Sequence, residues 1–228
     1  MNKEGKVYTI LFITILVVIV GASLAFVATA LKPEQDANMK KEKMQNILNS
    51  FGVTADRSNS EKLYAEFIKQ EIVLDVNGEI LKGEKAFTID LAKEKTKFPL
   101  FIAEKEGKKT YIIPARGMGL WDAIWCYVSL DENLKVSGIV FDHKAETPGL
   151  GAEIKEGFFT KRFIGEDIFN ASNALEGLQV IKGYKGGEDK TDGEVDGISG
   201  ATLTCNGVTE MLTRGLSPYE KYLKTLKK

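Results

Sequence analysis

The chain has 228 residues, and 31 Lys and Arg against 32 Asp and Glu leave a net charge of −1. That length suits one domain, or one domain with an appendage; a hydrophobic content of 43% with 28% charged residues excludes wholesale disorder, and near-neutrality gives no electrostatic case for nucleic acid as a partner. One histidine, His143, and two cysteines, Cys126 and Cys205, exclude a three-histidine metal site and any four-cysteine zinc or iron–sulfur site within one chain.

The first element is apolar. Residues 7–31 carry no charge. A bilayer core of about 30 Å needs about 20 apolar helical residues, and the run meets that. Its alternative is a cleaved signal peptide, with Lys3 and Lys6 as the basic flank and Ala28-Thr29-Ala30 as the small-residue site. A signal core of about 7–15 residues is shorter than this run, which favours a retained anchor. The expected organisation is a short cytoplasmic tail over 1–7, a transmembrane helix over 8–31 and an extracytoplasmic domain over 32–228. Lys and Arg counts on the two flanks do not by themselves set that orientation; the short N-terminal tail does, as in signal anchors generally.

Residues 35–50 then have helical spacing, with Met44, Ile47, Leu48 and Phe51 on one stripe and Gly52 as the stop. Ser60 reads as the N-cap of a short helix. Residues 72–76 and 79–81 read as a hairpin around Asn77-Gly78. The charged residues 82–97 read as surface. Strands are expected over 98–103 and 111–114, over 123–130 and over 136–143, the last pair joined by an Asp131-Glu132-Asn133 turn. Beyond a Gly/Pro loop, a short helix near 156–164 and a brief strand over 178–182 precede a loop-like, glycine-rich stretch over 183–200. Helices close the chain, over about 202–212 and after Pro218. The fold class is α+β: an antiparallel sheet with segregated helices, preceded by one N-terminal transmembrane helix. Cys126 falls inside a strand and Cys205 at a helix start, so both read as free thiols.

Two loops carry chemistry. Asp196-Gly197-Ile198-Ser199-Gly200-Ala201-Thr202-Leu203-Thr204 runs straight into a helix. Its glycines allow close approach of backbone to a ligand. The helix start supplies unpaired N–H groups and a positive dipole end, a seat for phosphate. A plain capped helix start is the structural alternative. The second loop is Glu146-Thr147-Pro148-Gly149-Leu150-Gly151.

Ser199-Gly200-Ala201-Thr202 resembles the flavinylation motif of FMN-binding domains, in which FMN is joined through its phosphate to the closing threonine. The Glu146–Gly151 loop resembles the second hallmark of those domains. Gly117-Met118-Gly119-Leu120-Trp121 and Thr202-Leu203-Thr204-Cys205-Asn206-Gly207-Val208 resemble the branch formed by the C subunits of sodium-translocating NADH:quinone oxidoreductases. The G subunit of the related ferredoxin:NAD reductase (Rnf-type) complexes is the neighbouring branch, and a flavin-free exported scaffold on the same fold is the reading from another class. Cys205 stands where the family is expected to have serine.

The resemblance implies covalent FMN on Thr202. Asp196 would serve recognition by a separate flavin transferase, since no histidine lies near Thr202 in sequence to activate its hydroxyl. Ser199, Gly200 and Ala201 would shape the phosphate seat. Glu146, Thr147, Gly149, Leu150 and Gly151 would approach the isoalloxazine, and Trp121 either stacks on it or belongs to the core. His143 reads as a structural, hydrogen-bonded residue. The implied partners are the other subunits of a multi-subunit redox complex in the cell inner membrane, where this chain would relay electrons without binding NADH or carrying sodium itself.

Overall fold

The computed structural model describes residues 5–184 and 189–227. The loop expected over 183–200 therefore lies partly outside the described residues, as do the first four residues of the expected tail. The chain divides into two units, Met1–Lys43 and Met44–Lys228.

Helix α1 runs over Lys6–Ser50 without a break, where the sequence reads one helix ending at residue 31 and another starting at residue 35, with Pro33 between them. Proline in a helix interior removes one backbone hydrogen bond. Here the apolar run upstream and the amphipathic turns downstream are each long enough to propagate, and a Lys32–Asp36 pair at 2.8 Å spans the proline. The apolar part of α1 is long enough to cross a membrane and is not buried.

In the second unit, α2 (Ser60–Phe67) leads into five strands: β1 (Ile68–Leu74), β2 (Phe98–Lys105), β3 (Lys108–Met118), β4 (Ala123–Leu130) and β5 (Val136–His143). They form one antiparallel sheet in sequence order. β4 and β5 have the bounds that their aromatic and β-branched content predicts. The Asn77-Gly78 turn forms, but its return is a single Leu74–Ile80 bridge, and β1 pairs instead with β2. Ser60 is the first residue of α2 rather than its cap; Asn59 holds that position, and Asp56 Oδ1 accepts the Ser58 and Asn59 N–H groups. The charged stretch after the turn is not all surface: Ala86 is fully buried, and the Phe87 N–H donates to Glu71 Oε2.

Side chains alternate across the sheet. On one face Leu100, Ile113, Ile124, Cys126, Val128 and Phe141 join the main core. On the other, Val73, Phe101, Ile112 and Tyr127 pack with Ile47 from the last turn of α1. A buried Ser50–Ser129 hydroxyl contact of 2.7 Å adds a polar link.

Beyond β5 come α3 (Gly157–Thr160), two three-residue strands β6 (Gln179–Ile181) and β7 (Glu194–Asp196), and two helices, α4 (Thr202–Leu216) and α5 (Glu220–Leu226). β6 and β7 pair in parallel, a separate small sheet that the sequence shows only in part, since β7 sits in the stretch read as loop. α4 lies on β3 with Val208, Met211 and Leu212 buried in the main core. The approach is close enough that a Cβ on Gly207 would overlap the Met118 carbonyl. This packing brings the start of α4 beside the β3–β4 turn.

The backbone at Gly138 in β5 lies against the Ser50 carbonyl with no room for a side chain. Gly138→Ala is therefore expected to lower stability by about 1–3 kcal/mol, the cost of an overpacked contact. Gly157→Ala is the control, because its Cβ would meet only the Lys161 side chain at 4.0 Å. Equal urea midpoints for the two variants would show that the Ser50 contact is dispensable.

Candidate FMN-binding site

Three segments converge at the start of α4. The first is the β3–β4 turn, with Gly119, Leu120 and Trp121. The second is the loop over 146–151. The third is the first turn of α4. The Glu146 side chain joins them. Glu146 is 4% exposed. Its Oε1 accepts the Trp121 backbone N–H at 2.9 Å, and its Oε2 accepts the Thr204 hydroxyl at 2.6 Å. Side chains on Gly119 or Gly151 would overlap that carboxyl group, so both glycines make room for it. His143, at the end of β5, accepts the Glu146 N–H on Nδ1 at 3.2 Å and so sets the entry into the loop. Its Nε2 is buried and finds no partner among the described residues.

The resemblance has Glu146 approaching the isoalloxazine. In the structure both its oxygens are committed to neighbouring segments, in space that two glycines leave, and the residue also lines a small cavity with Leu120 and Leu150. Of the other residues in its loop, Thr147, Gly149 and Leu150 are exposed. Thr147 Oγ1 accepts the Trp121 indole N–H at 3.1 Å. Trp121 is 65% exposed, so it belongs to the site's surface and not to the core, whereas Cys126 and Phe141 are buried. Gly151 is buried beneath the loop. Leu150 leans over Gly200, whose φ of +80° and missing Cβ permit the contact.

The two threonines of the motif separate cleanly. Thr204 is buried and bonded to Glu146. Thr202 is exposed and is the first residue of α4. Ala201 occupies the N-cap position and offers no side-chain cap. The first N–H groups of a 15-residue helix are thus left open beside the Thr202 hydroxyl. Thr202 stands between two cavities. One, of about 430 Å³, is lined by Asp196, Ser199, Gly200, Lys182 and Asn206 among others. The other, of about 140 Å³, is lined by Leu120, Thr147, Leu150, Ala201 and Leu203 among others.

Asp196 ends β7, its Oδ1 accepting the Tyr184 N–H at 3.2 Å. Arg162, which the sequence does not single out, donates from Nη1 to the carbonyls of Asp196 and Gly197 at 2.7 and 2.8 Å. No sequence signal marks it; only the fold brings it to the loop. Cys126 and Cys205 are both free and buried, as expected. Burial pushes the Cys205 thiol up, and its Sγ accepts the Ile198 N–H at 3.4 Å.

An uncapped helix start, a neighbouring hydroxyl and two adjoining cavities thus meet at Thr202, and residues 119–217 match the FMN-binding domain family. The C subunit of the Na⁺-translocating NADH-quinone reductase of Haemophilus ducreyi is 31% identical over 96% of this chain and 94% of its own. The crystal structure of the corresponding C subunit from Parabacteroides distasonis is 37% identical, with a TM-score of 0.77 over 87% of this chain and 98% of its own. The crystal structure of NqrC from Shewanella oneidensis, 20% identical with a TM-score of 0.69 over 82% of this chain and 99% of its own, shares the fold. The chain belongs to the family of C subunits of Na⁺-translocating NADH-quinone reductases. Of the two branches that its motifs resemble, these matches fall on this one.

Removing the Thr204 hydroxyl leaves Glu146 Oε2 without its donor in a buried position. Thr204→Val, nearly the same shape, is expected to cost about 1–3 kcal/mol, read as a lower denaturant midpoint. An unchanged midpoint would mean that the carboxyl group does not hold the three segments together.

Proposed function

We propose that this chain is an electron-transfer subunit of a sodium-pumping NADH–quinone reductase complex that carries FMN as a phosphoester on Thr202. The observation that carries this reading is the asymmetry of the two threonines: Thr202 is exposed at an uncapped helix start, while Thr204 is buried and bonded. The residues present fit the group. The α4 N–H groups suit a phosphodiester's remaining negative charge, and the adjoining cavities and the exposed Leu120, Trp121 and Leu150 offer apolar surface to a flavin ring. When bound, FMN supplies the redox chemistry, and the protein supplies position and surroundings.

Attachment needs help from outside the chain. A threonine hydroxyl is a weak nucleophile at neutral pH, and Thr202 has no basic partner among the described residues. A flavin transferase would supply the base. With FAD as donor, the Thr202 oxygen forms a bond to the FMN phosphorus, the pyrophosphate bond to AMP breaks and the hydroxyl proton goes to the transferase. No electron moves in that step. A tethered cofactor suits a relay, which must not lose its flavin between turnovers.

The apolar part of α1 is read as a retained membrane anchor with the second unit outside the cytoplasm. It carries no charged residue in 7–31, so it offers no path for sodium. Protease added to sealed, right-side-out spheroplasts should digest residues 44–228, and full protection would refute this orientation.

The attachment site is tested by peptide mass spectrometry on protein made with its transferase. Wild type and Thr204→Ala should carry FMN on the peptide containing Thr202, and Thr202→Ala should carry none. FMN on Thr204, or a colourless and unmodified wild type, would sink the assignment; the second result would favour a flavin-free scaffold.

A further inference from the structure

The segment between β7 and α4 has few interactions to hold it. The Gly197 N–H donates to the Ile181 carbonyl at 3.0 Å, and the Ala201 N–H donates to the Ile198 carbonyl at 3.1 Å. The Gly197–Ile198 peptide is gripped from both sides. Its carbonyl accepts from Arg162 Nη1, and its N–H donates to Cys205 Sγ, one turn along the helix that begins at Thr202. A trans peptide points its C=O and N–H in opposite directions, so Arg162 and α4 hold opposite edges of one plane. The same Arg162 nitrogen also binds the Asp196 carbonyl, and it lies 3.9 Å from Asp196 Oδ2.

Arg162 is itself fixed. Its guanidinium stands 5.6 Å from the Phe158 ring and 5.8 Å from the Phe159 ring. Its own carbonyl accepts from Lys190 Nζ at 2.7 Å, and that ammonium also binds the buried Glu166 at 2.7 Å. Arg162 lines a cavity of about 210 Å³ with Tyr184, Lys190 and Asp196, and it does not line the larger cavity beside Thr202. It therefore works from behind the loop.

We propose that Arg162 is the positioning residue of the flavin-attachment loop: its single Nη1, bonded to the Asp196 and Gly197 carbonyls, holds residues 196–202 in the shape that a flavin transferase must grip. This rests on the reading of Thr202 as the acceptor. Arg162 touches neither Thr202 nor the transferred phosphoryl group. Its loss lowers the fraction of chains in the competent shape, which raises the apparent KM in proportion and leaves kcat alone.

The test uses the full chain in detergent with purified flavin transferase and FAD. The rate of FMN incorporation is followed by intact mass at varied chain concentration. Arg162→Met keeps an unbranched apolar stem beside the phenylalanines but removes the guanidinium and with it the donors. It should raise KM about tenfold or more with kcat within twofold. Arg162→Lys, which restores one donor nitrogen, should recover most of the loss. Wild-type KM in Arg162→Met, a loss confined to kcat, or no rescue by lysine would overturn the proposal. Should Arg162→Met fail to fold, Phe158→Ala replaces it, because Phe158 is 52% exposed and its truncation removes one wall of the guanidinium's seat. A KM raised about threefold is expected there, and wild-type kinetics would overturn the proposal. An unmodified wild type is a different result: it refutes the Thr202 reading, and the role of Arg162 falls with it.

Discussion

The site depends on one buried carboxyl group. Glu146 touches both the β3–β4 turn and the first turn of α4, and it does so from the loop between them in space. Taking a polar group out of water costs free energy unless its partners are replaced. Both oxygens of Glu146 have replacements, and each comes from a different segment. The interaction thus converts a desolvation cost into a constraint: neither neighbouring segment can move away without leaving a buried acceptor unpaired. Glycine at 119 and 151 is part of the same device, because any side chain there would occupy the carboxyl group's space.

That constraint reaches the outer surface. The Trp121 backbone is held from inside by Glu146, and its indole is held from outside by Thr147, a neighbour of Glu146 in sequence. Trp121 remains 65% exposed and Leu150 42% exposed. Large apolar side chains at such exposure are ordinarily mobile. Here the Trp121 backbone and indole are both hydrogen-bonded, so the apolar surface near Thr202 rests on a tethered turn. Rigid support beneath an open edge is what precise placement of a ligand requires.

Much of this is legible in the sequence, and the rest is not for identifiable reasons. β4 and β5 are readable to the residue because strands dense in aromatic and β-branched residues, ended by a polar turn, have few other solutions. The S-G-A-T helix start is readable from its glycine and hydroxyls. β7 is not: three residues among glycines and acids have no measurable period, and only parallel pairing with β6 makes them a strand. The partner of β1 is hidden because the Asn-Gly turn is a local signal, while strand pairing is settled by which apolar faces meet. Pro33 falls in a gap between two expected helices, and one long helix absorbs it. For Glu146, nothing local in the sequence reveals that two glycines, one of them 27 residues upstream, hollow out a place for its carboxyl group. Arg162 is invisible for the same reason.

Helical geometry explains why two threonines two residues apart end with opposite fates. At 3.6 residues per turn they are separated by about 200° around the axis. α4 packs against β3, and Val208, Met211 and Leu212 set the buried side of the helix. Thr204 falls on that side and is buried at once, where a hydroxyl must find a partner; Glu146 is the acceptor within reach. Thr202 then has to face solvent, and its hydroxyl makes no hydrogen bond among the described residues. The packing of the middle of α4 thereby decides which hydroxyl is buried and bonded and which is exposed. A shift of α4 by one residue about its axis would exchange neither role cleanly: it would swing Thr204 off Glu146 and carry Thr202 toward the core. The same contacts that stabilise the domain therefore set the chemistry available at its surface.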